Sequence, residues 1–290
     1  MEKIIDKAKT LIEVLPYIQL FRDAIVVVKF GGSAMEDPKL TAGIMRDVVM
    51  LEAIGLRPVV VHGGGKAISA ALAKQNIETK FINGLRYTCS DTIKVVDDVL
   101  HNQVNRYLVE SGRNVGGKTD TLSGKDILTA ERMFSTNPGS EEKLDIGFVG
   151  EVTEVACQKI VEMVEQNIIP VIPPLGIGKD GQVFNINADI AACKIAEALQ
   201  ARKLVFLSDV PGIMRDAKDE ASVIPSIKIA DAEELIASGI ISGGMIPKIQ
   251  SCIHALQAGT NKVHMIDGRI DHSLLLELFT DEGIGTEIVR

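Results

Sequence analysis

Two apolar runs in this chain end in consecutive glycines and lead into helical patterns, an arrangement that restricts the fold more than any other feature of the sequence. The first is Ile25-Val26-Val27-Val28-Lys29-Phe30-Gly31-Gly32-Ser33, and the second is Arg57-Pro58-Val59-Val60-Val61-His62-Gly63-Gly64-Gly65. A β-branched run closed by glycine and followed by helical spacing reads as a buried strand feeding a helix amino terminus. Without a Cβ, the backbone N–H groups at such a junction can approach a phosphate or carboxylate, and the helix dipole favours that charge. A plain strand-to-helix connector has the same appearance, so one turn alone decides nothing. Lys29 adds weight, because its stem is easily buried but its ammonium must reach water or an anion.

From residue 24 onward the pattern alternates. Strands are expected at 24–30, 57–62, 148–155, 168–173, 203–209 and 262–266, and helices at 38–54, 66–75, 91–110, 156–165, 189–201, 232–238, 245–258 and 272–279. Asp37 before Pro38 reads as an N-cap followed by proline at N1. The alternation predicts an α/β fold: a three-layer sandwich with a mostly parallel central sheet and its ligands at the carboxyl ends of the strands. Residues 1–22 form a separate amphipathic helix, with Ile4, Ala8, Leu11 and Leu15 at helical spacing, which Pro16 should kink or end. Such a helix is unstable alone and must dock on its own chain or on another subunit. The glycine-rich and polar stretch 111–150 is expected to hold hairpins and loops, with a turn at Asn137-Pro138-Gly139-Ser140. A lobe boundary is expected between residues 185 and 203, dividing the chain into 1–22, 23–195 and 196–290.

Composition excludes several classes. The 290 residues are 46% hydrophobic, enough for one large core or two joined lobes. A net charge of −8 and no tryptophan disfavour nucleic acid as a partner. No apolar stretch reaches the roughly 18 residues of a membrane span. Glu13 and Pro16 break up 11–21, so a secretory leader is not expected and the cytoplasm is. Cys89, Cys157, Cys193 and Cys252 are scattered, and the histidines lack ligand spacing, so neither a disulfide framework nor a metal centre is expected. If the ligands are anions, the field of the whole molecule repels them, and a few local cations and amides must supply the attraction.

Gly112-Arg113-Asn114-Val115-Gly116-Gly117-Lys118-Thr119 satisfies the P-loop expression, but an amphipathic helix precedes it where a buried strand is required, so that reading is set aside. Gly243-Gly244-Met245-Ile246-Pro247-Lys248 opens a helix and puts a cation in its first turn, where the dipole disfavours it unless an anion is bound. Asn185-Ile186-Asn187-Ala188-Asp189 opens another helix. Asp189 could cap that helix or complement its dipole, while Asn185 and Asn187 could orient a small polar substrate. Asn83-Gly84-Leu85-Arg86 places an arginine directly after a tight turn, suited to a bidentate carboxylate contact.

Taken together with Leu207-Ser208-Asp209-Val210-Pro211-Gly212 and Gly283-Ile284-Gly285-Thr286, these motifs resemble the amino acid kinase family over nearly the whole chain, and within it the branch whose acceptor is N-acetyl-L-glutamate. The resemblance implies transfer of a phosphoryl group from ATP, with Mg²⁺, to the acceptor's side-chain carboxylate in arginine biosynthesis. It implies that Lys29 and Lys248 stabilise the migrating group and that Asp189 holds both lysines. Gly64, Gly65, Arg86, Asn185 and Asn187 would bind acetylglutamate in the 23–195 lobe. Gly31, Gly32, Asp209, Val210, Pro211, Gly212, Ile213, Met214, Ile240, Ile241 and Ser242 would line the ATP site, mostly in the 196–290 lobe. The amino-terminal helix and the tail are similar to the arginine-inhibited, hexamer-forming branch. That likeness implies a homodimer assembling to a homohexamer and an arginine site at Tyr17, His272, Glu277 and Gly285. The stretch 116–126 and Tyr87 depart from the family pattern.

The implied chemistry needs no general base, since a carboxylate with a reference pKa near 4.3 is already ionised at neutral pH. Rivals within the fold are aspartate, glutamate, carbamate and uridylate kinases; a rival outside catalysis is an arginine-sensing binding protein.

Overall fold

The computed structural model describes residues 2–136, 142–216, 218–243 and 245–290. Five of the six expected strands enter an eight-stranded sheet in the order Ser226–Lys228, Thr286–Val289, Lys262–Asp267, Lys203–Ser208, Ile25–Phe30, Arg57–His62, Ile169–Ile172, Thr119–Thr121, of which Ser226–Lys228, Thr286–Val289 and Thr119–Thr121 are not predicted by the pattern. Every neighbouring pair is parallel except Lys262–Asp267 with Thr286–Val289. Parallel pairing requires crossovers that cover the sheet, which is why the central runs are apolar on both faces. Val27, Val59, Val61, Leu204 and Phe206 enter one core cluster, while Val26, Val28, Val60, Val205 and Leu207 enter the other. Alternate residues of the same strands thus fill two cores, giving the three layers that the alternation predicts.

The strand order reverses around Ile25–Phe30. The chain first lays Arg57–His62 on one side of it and much later returns to lay Lys203–Ser208 on the other. A crevice therefore opens at the carboxyl end of the strand that carries Lys29.

Helix Pro38–Ala53 begins as expected, with the Asp37 carboxylate accepting from Lys39 N at 2.7 Å. The helix expected at 91–110 is longer. It runs as Ser90–Asp98, a π-helical segment Val99–Asn105, and Arg106–Asn114. Apolar spacing alone does not reveal such a widened turn. The P-loop match falls at the end of this helix and before the edge strand Thr119–Thr121, the reverse of the strand-to-helix order a P-loop needs.

Further strands lie apart from this sheet, and of them the sequence reading expects only part of one. Leu128–Thr136, Lys143–Val155, Leu175–Ile177 and Val183–Asn185 close a small four-stranded barrel, so the strand expected to begin at 148 begins at Lys143. The long hairpin lies in the stretch expected to hold hairpins; the turn expected at 137–140 lies outside the described residues. Phe81–Ile82 and Leu85–Arg86 form a second hairpin, in which Asn83 (φ 48°) and Gly84 (φ 79°) supply the two left-handed positions of a primed turn. Asn83 pins this hairpin to the barrel by donating to Ser135 Oγ (2.9 Å) and the Thr136 carbonyl (3.0 Å).

The amino-terminal helix Glu2–Phe21 continues through Pro16 and is not ended there. The N–H that proline lacks would have met the Ile12 carbonyl, and Ile12 lies on an exposed stretch where that carbonyl is open to solvent. Only the end of the helix docks on the body. Phe21 is buried and Tyr17 meets Phe279 edge-on at 6.4 Å, whereas Ile4, Leu11, Ile12 and Leu20 stay exposed.

Candidate active site

Sheet register brings the two glycine turns together. Phe30 lies opposite His62, and Gly63 N donates to the Phe30 carbonyl at 2.8 Å. Lys29 folds back over its own turn so closely that a Cβ on Gly31 would stand 2.7 Å from its Nζ. Asp209, in the turn after Lys203–Ser208, lies over Gly32, where a Cβ would meet its carboxylate at 2.4 Å.

Three elements deliver charge to this point. Lys29 comes from the central strand, Asp189 from the first turn of helix Ala188–Ala198, and Lys248 from the first turn of helix Met245–Ala258. Lys29 Nζ is 2.9 Å from Asp189 Oδ1, off the hydrogen-bond direction, and Lys248 Nζ is 3.3 Å from Oδ2. Burial opposes ionisation of Asp189, but the two ammonium groups outweigh it and hold its pKa below the usual carboxylate range. Asp189 does not cap its helix. That task falls to Asn187, whose side-chain oxygen accepts from Asp189 N (2.9 Å) and Ile190 N (3.2 Å). Lys248 also lies over the Phe206 ring at 5.6 Å. Gly244, of the motif that opens its helix, lies outside the described residues.

Beside this triad is a cavity of about 350 Å³ whose lining includes Gly64, Gly65, Arg86, Asn185 and Asn187. Arg86 is buried. Its Nη2 donates to the Gly65 carbonyl (2.8 Å) and Ser69 Oγ (2.9 Å), and its guanidinium lies 4.9 Å from the Phe81 ring centre. Burial lowers its pKa, yet an arginine remains cationic in a protein. Asn185 donates to Thr88 Oγ1 at 3.2 Å.

The residues expected at the ATP site divide by burial. Gly31 and Gly32 form the first turn. Ile213 and Ile241 are core side chains, so only their backbone can serve a ligand. The 209–214 turn is tied down by Ile213 N donating to Thr286 Oγ1 (2.8 Å) and by a bridge between Met214 and Val223. Ser242 is exposed and Ile240 half-buried.

The four residues expected to hold arginine do not all meet. Glu277 and Gly285 do: Glu277 Oε2 accepts from Ile284 N (2.8 Å) and Gly285 N (3.2 Å). Tyr17 donates to Asp281 nearby. His272 faces elsewhere, on the buried Asp47 carboxylate at 2.6 Å. The histidine at Glu277 is His264, 2.6 Å from Oε1, with Lys203 Nζ 3.2 Å from its other nitrogen. Burial would raise the Glu277 pKa, but the bonds from His264 and the two backbone N–H groups lower it, whereas burial depresses Lys203 to about 8. The sequence carries a faint signal for this cluster, a polar residue inside each of two buried strands. Next to it opens a cavity of about 550 Å³ lined by Phe21, Arg202, Lys203, Lys262 and Arg290.

The model of the amino acid kinase family matches residues 24–267. The acetylglutamate kinase of Petrotoga mobilis is 46% identical over 288 residues, covering 99% of this chain and 94% of that protein. That of Carboxydothermus hydrogenoformans is 47% identical over 290 residues, 99% of each. Among solved structures, N-acetylglutamate synthase from Neisseria gonorrhoeae, complexed with coenzyme A and N-acetyl-glutamate, superposes with a TM-score of 0.85 at 26% identity. The match covers 98% of this chain and 63% of the synthase chain. Giardia carbamate kinase shares the fold at a TM-score of 0.68 and 14% identity, covering 92% of this chain and 98% of that one.

Proposed function

The chain belongs to the amino acid kinase family and within it groups with the acetylglutamate kinases, and from that premise we propose that it transfers the γ-phosphoryl group of ATP to the side-chain carboxylate of N-acetyl-L-glutamate, a step of arginine biosynthesis. The observation that carries the reading at the level of chemistry is the pair of ammonium groups held on Asp189, which directly follows the cavity-lining residues Asn187 and Ala188. An ionised acceptor approaching an anionic phosphoryl group needs preorganised positive charge and no base. Lys29 and Lys248 supply that charge, one at each carboxylate oxygen of Asp189, which offsets the repulsion between them. Gly64 and Gly65 offer backbone N–H groups at a helix amino terminus, Arg86 takes a carboxylate of the acceptor, and Asn185 and Asn187 orient its amide. ATP lies along Gly31, Gly32, the 209–214 turn and residues 240–242. In this division 23–195 is the acceptor lobe and 196–290 the donor lobe. Among the described residues no three acidic, histidine or cysteine groups cluster as a metal cage, which fits a magnesium ion held chiefly by phosphate oxygens and water; when bound it neutralises charge on the nucleotide.

An assay of ADP release with acetylglutamate, glutamate, aspartate and carbamate as acceptors tests the assignment. Turnover is expected with acetylglutamate, and faster turnover with any of the others overturns it.

We propose also that arginine inhibits at the Tyr17, Glu277 and Gly285 region, with His264 in the place expected for His272. In the same reading the exposed stripe of helix Glu2–Phe21 joins homodimers into a homohexamer. No described helix is long and apolar enough to cross a membrane, and the proposed place of action is the cytoplasm. Removing residues 1–22 is expected to reduce the particle from six chains to two while ADP release persists. Light scattering that finds the truncated particle unchanged removes the role of the helix.

A further inference from the structure

The second glycine turn is anchored from behind by a buried relay that none of the roles above uses. His62 ends strand Arg57–His62, is fully buried, and has its Nδ1 2.7 Å from the Gly63 carbonyl oxygen. Its Nε2 lies 3.1 Å from Nδ2 of the equally buried Asn105. The same Nδ2 donates to the Val171 carbonyl at 2.8 Å, and Asn105 Oδ1 accepts from Thr121 Oγ1 at 2.5 Å. The Val171 carbonyl fixes which end of the Asn105 side chain is the NH₂ group. An NH₂ group can only donate to Nε2, and the Gly63 carbonyl can only accept from Nδ1. One tautomer satisfies both, with the proton on Nδ1 and the lone pair on Nε2.

The π-helical segment makes this possible. Asn105 is its last residue, and Leu100 and Val104 of the same segment press on the turn: a Cβ on Gly64 would stand 2.5 Å from Leu100 Cδ2 and 3.6 Å from Val104 Cγ2. A regular helix would lack the extra residue and rotate every later side chain by about 100°, carrying Asn105 away from His62. Widened turns of this kind gather at functional sites.

The relay governs a peptide plane. In a trans peptide the C=O and N–H point in opposite directions, so holding the Gly63 carbonyl on the imidazole turns the Gly64 N–H away from it. Gly63, Gly64 and Gly65 all line the acceptor cavity. Between glycines such a plane is otherwise free to flip. We propose that His62 and Asn105 are positioning residues: Asn105 selects the Nδ1–H tautomer of His62, which locks the Gly63–Gly64 peptide with its N–H aimed at the anion in the cavity. Burial also keeps the imidazole uncharged, lowering its pKa to about 4, so the relay holds one state through neutral pH. The kinetic consequence rests on the proposed phosphoryl transfer; the tautomer does not.

Nitrogen-15 spectra of the histidine-labelled protein at pH 7 are expected to show His62 protonated at Nδ1 and bare at Nε2. The opposite tautomer, or an imidazolium, overturns the proposal. His62→Leu is expected to lower kcat by up to about 100-fold, with a smaller change in the acetylglutamate KM. His62→Asn, whose Nδ2 can stand where Nδ1 stood, is expected to recover most of that loss. Wild-type kcat in the leucine variant, or an asparagine variant no better than leucine, overturns the role. Should His62→Leu not fold, Asn105→Asp decides: a carboxylate there demands a proton on Nε2, so the spectrum should change and kcat fall together, and no change in either overturns the relay. If the wild-type protein does not phosphorylate acetylglutamate, the kinase reading fails while the spectrum still judges the tautomer.

Discussion

Lys248→Ala is expected to lower kcat for acetylglutamate phosphorylation by about 10²–10³-fold, the range seen when one preorganised donor to a developing charge is removed. The acetylglutamate KM should barely move, because the Lys248 ammonium rests on Asp189 and the side chain is not among those lining the acceptor cavity. Lys29→Ala should give a loss of similar size, and the double variant should lose far less than the product of the two, since both ammonium groups act on one migrating group. Asp189 makes the test sharper. With one lysine gone its carboxylate keeps the other partner, so the variant retains one ion pair and a folded site. Steady-state kinetics with both substrates varied gives the answer, and a kcat within a few-fold of wild type for either single variant would falsify the transition-state role of that lysine.

Arg86→Ala should act on the other parameter. Charge-assisted hydrogen bonds contribute about 1.5–3 kcal/mol, so loss of the guanidinium is expected to raise the acetylglutamate KM roughly tenfold to a hundredfold while kcat at saturation falls much less. Lysine should not restore it, because one ammonium cannot reproduce a planar fork that already spans the Gly65 carbonyl and Ser69. Arg86 also ties its hairpin to helix Gly65–Lys74, so a thermal unfolding curve belongs beside the kinetics. An unchanged KM in a folded Arg86→Ala protein removes the residue from the acceptor site.

The residues that bear these predictions were legible for different reasons. Lys29 stood out because a cation at the end of an otherwise β-branched run has few uses. Arg86 stood out because Asn83 and Gly84 mark a tight turn just before it, and the observed φ angles of 48° and 79° make that turn a primed one. Lys248 and Asp189 were visible as a cation and a carboxylate at helix starts, but spacing could not tell a cap from a catalytic group. Asn187 takes the cap two residues earlier, which frees Asp189 for the lysines. His272 is implied by the likeness of the tail to the arginine-inhibited branch, whereas the histidine that meets Glu277 is His264. Only the packing of helix Ser273–Phe279 back on strand Lys262–Asp267 brings His264 to that carboxylate.

Short strands such as Leu175–Ile177 and Val183–Asn185 are too brief to carry a period, and the π-helical segment changes the backbone without changing the apolar pattern. Pro16 went the other way, a strong local breaker tolerated where water can serve the carbonyl it leaves unmet.

The sequence by itself determined the alternation of buried strand and covering helix, and with it the two-sided sheet and the glycine junctions at strand ends. Those are local properties, written in period, β-branching and the absence of Cβ atoms. Tertiary structure alone decided that Lys29, Asp189 and Lys248, up to 219 residues apart in number, share one charge centre, and that His62 answers to Asn105. Convergence of that kind depends on strand order and on rotation along a helix, and no window of neighbouring residues encodes either.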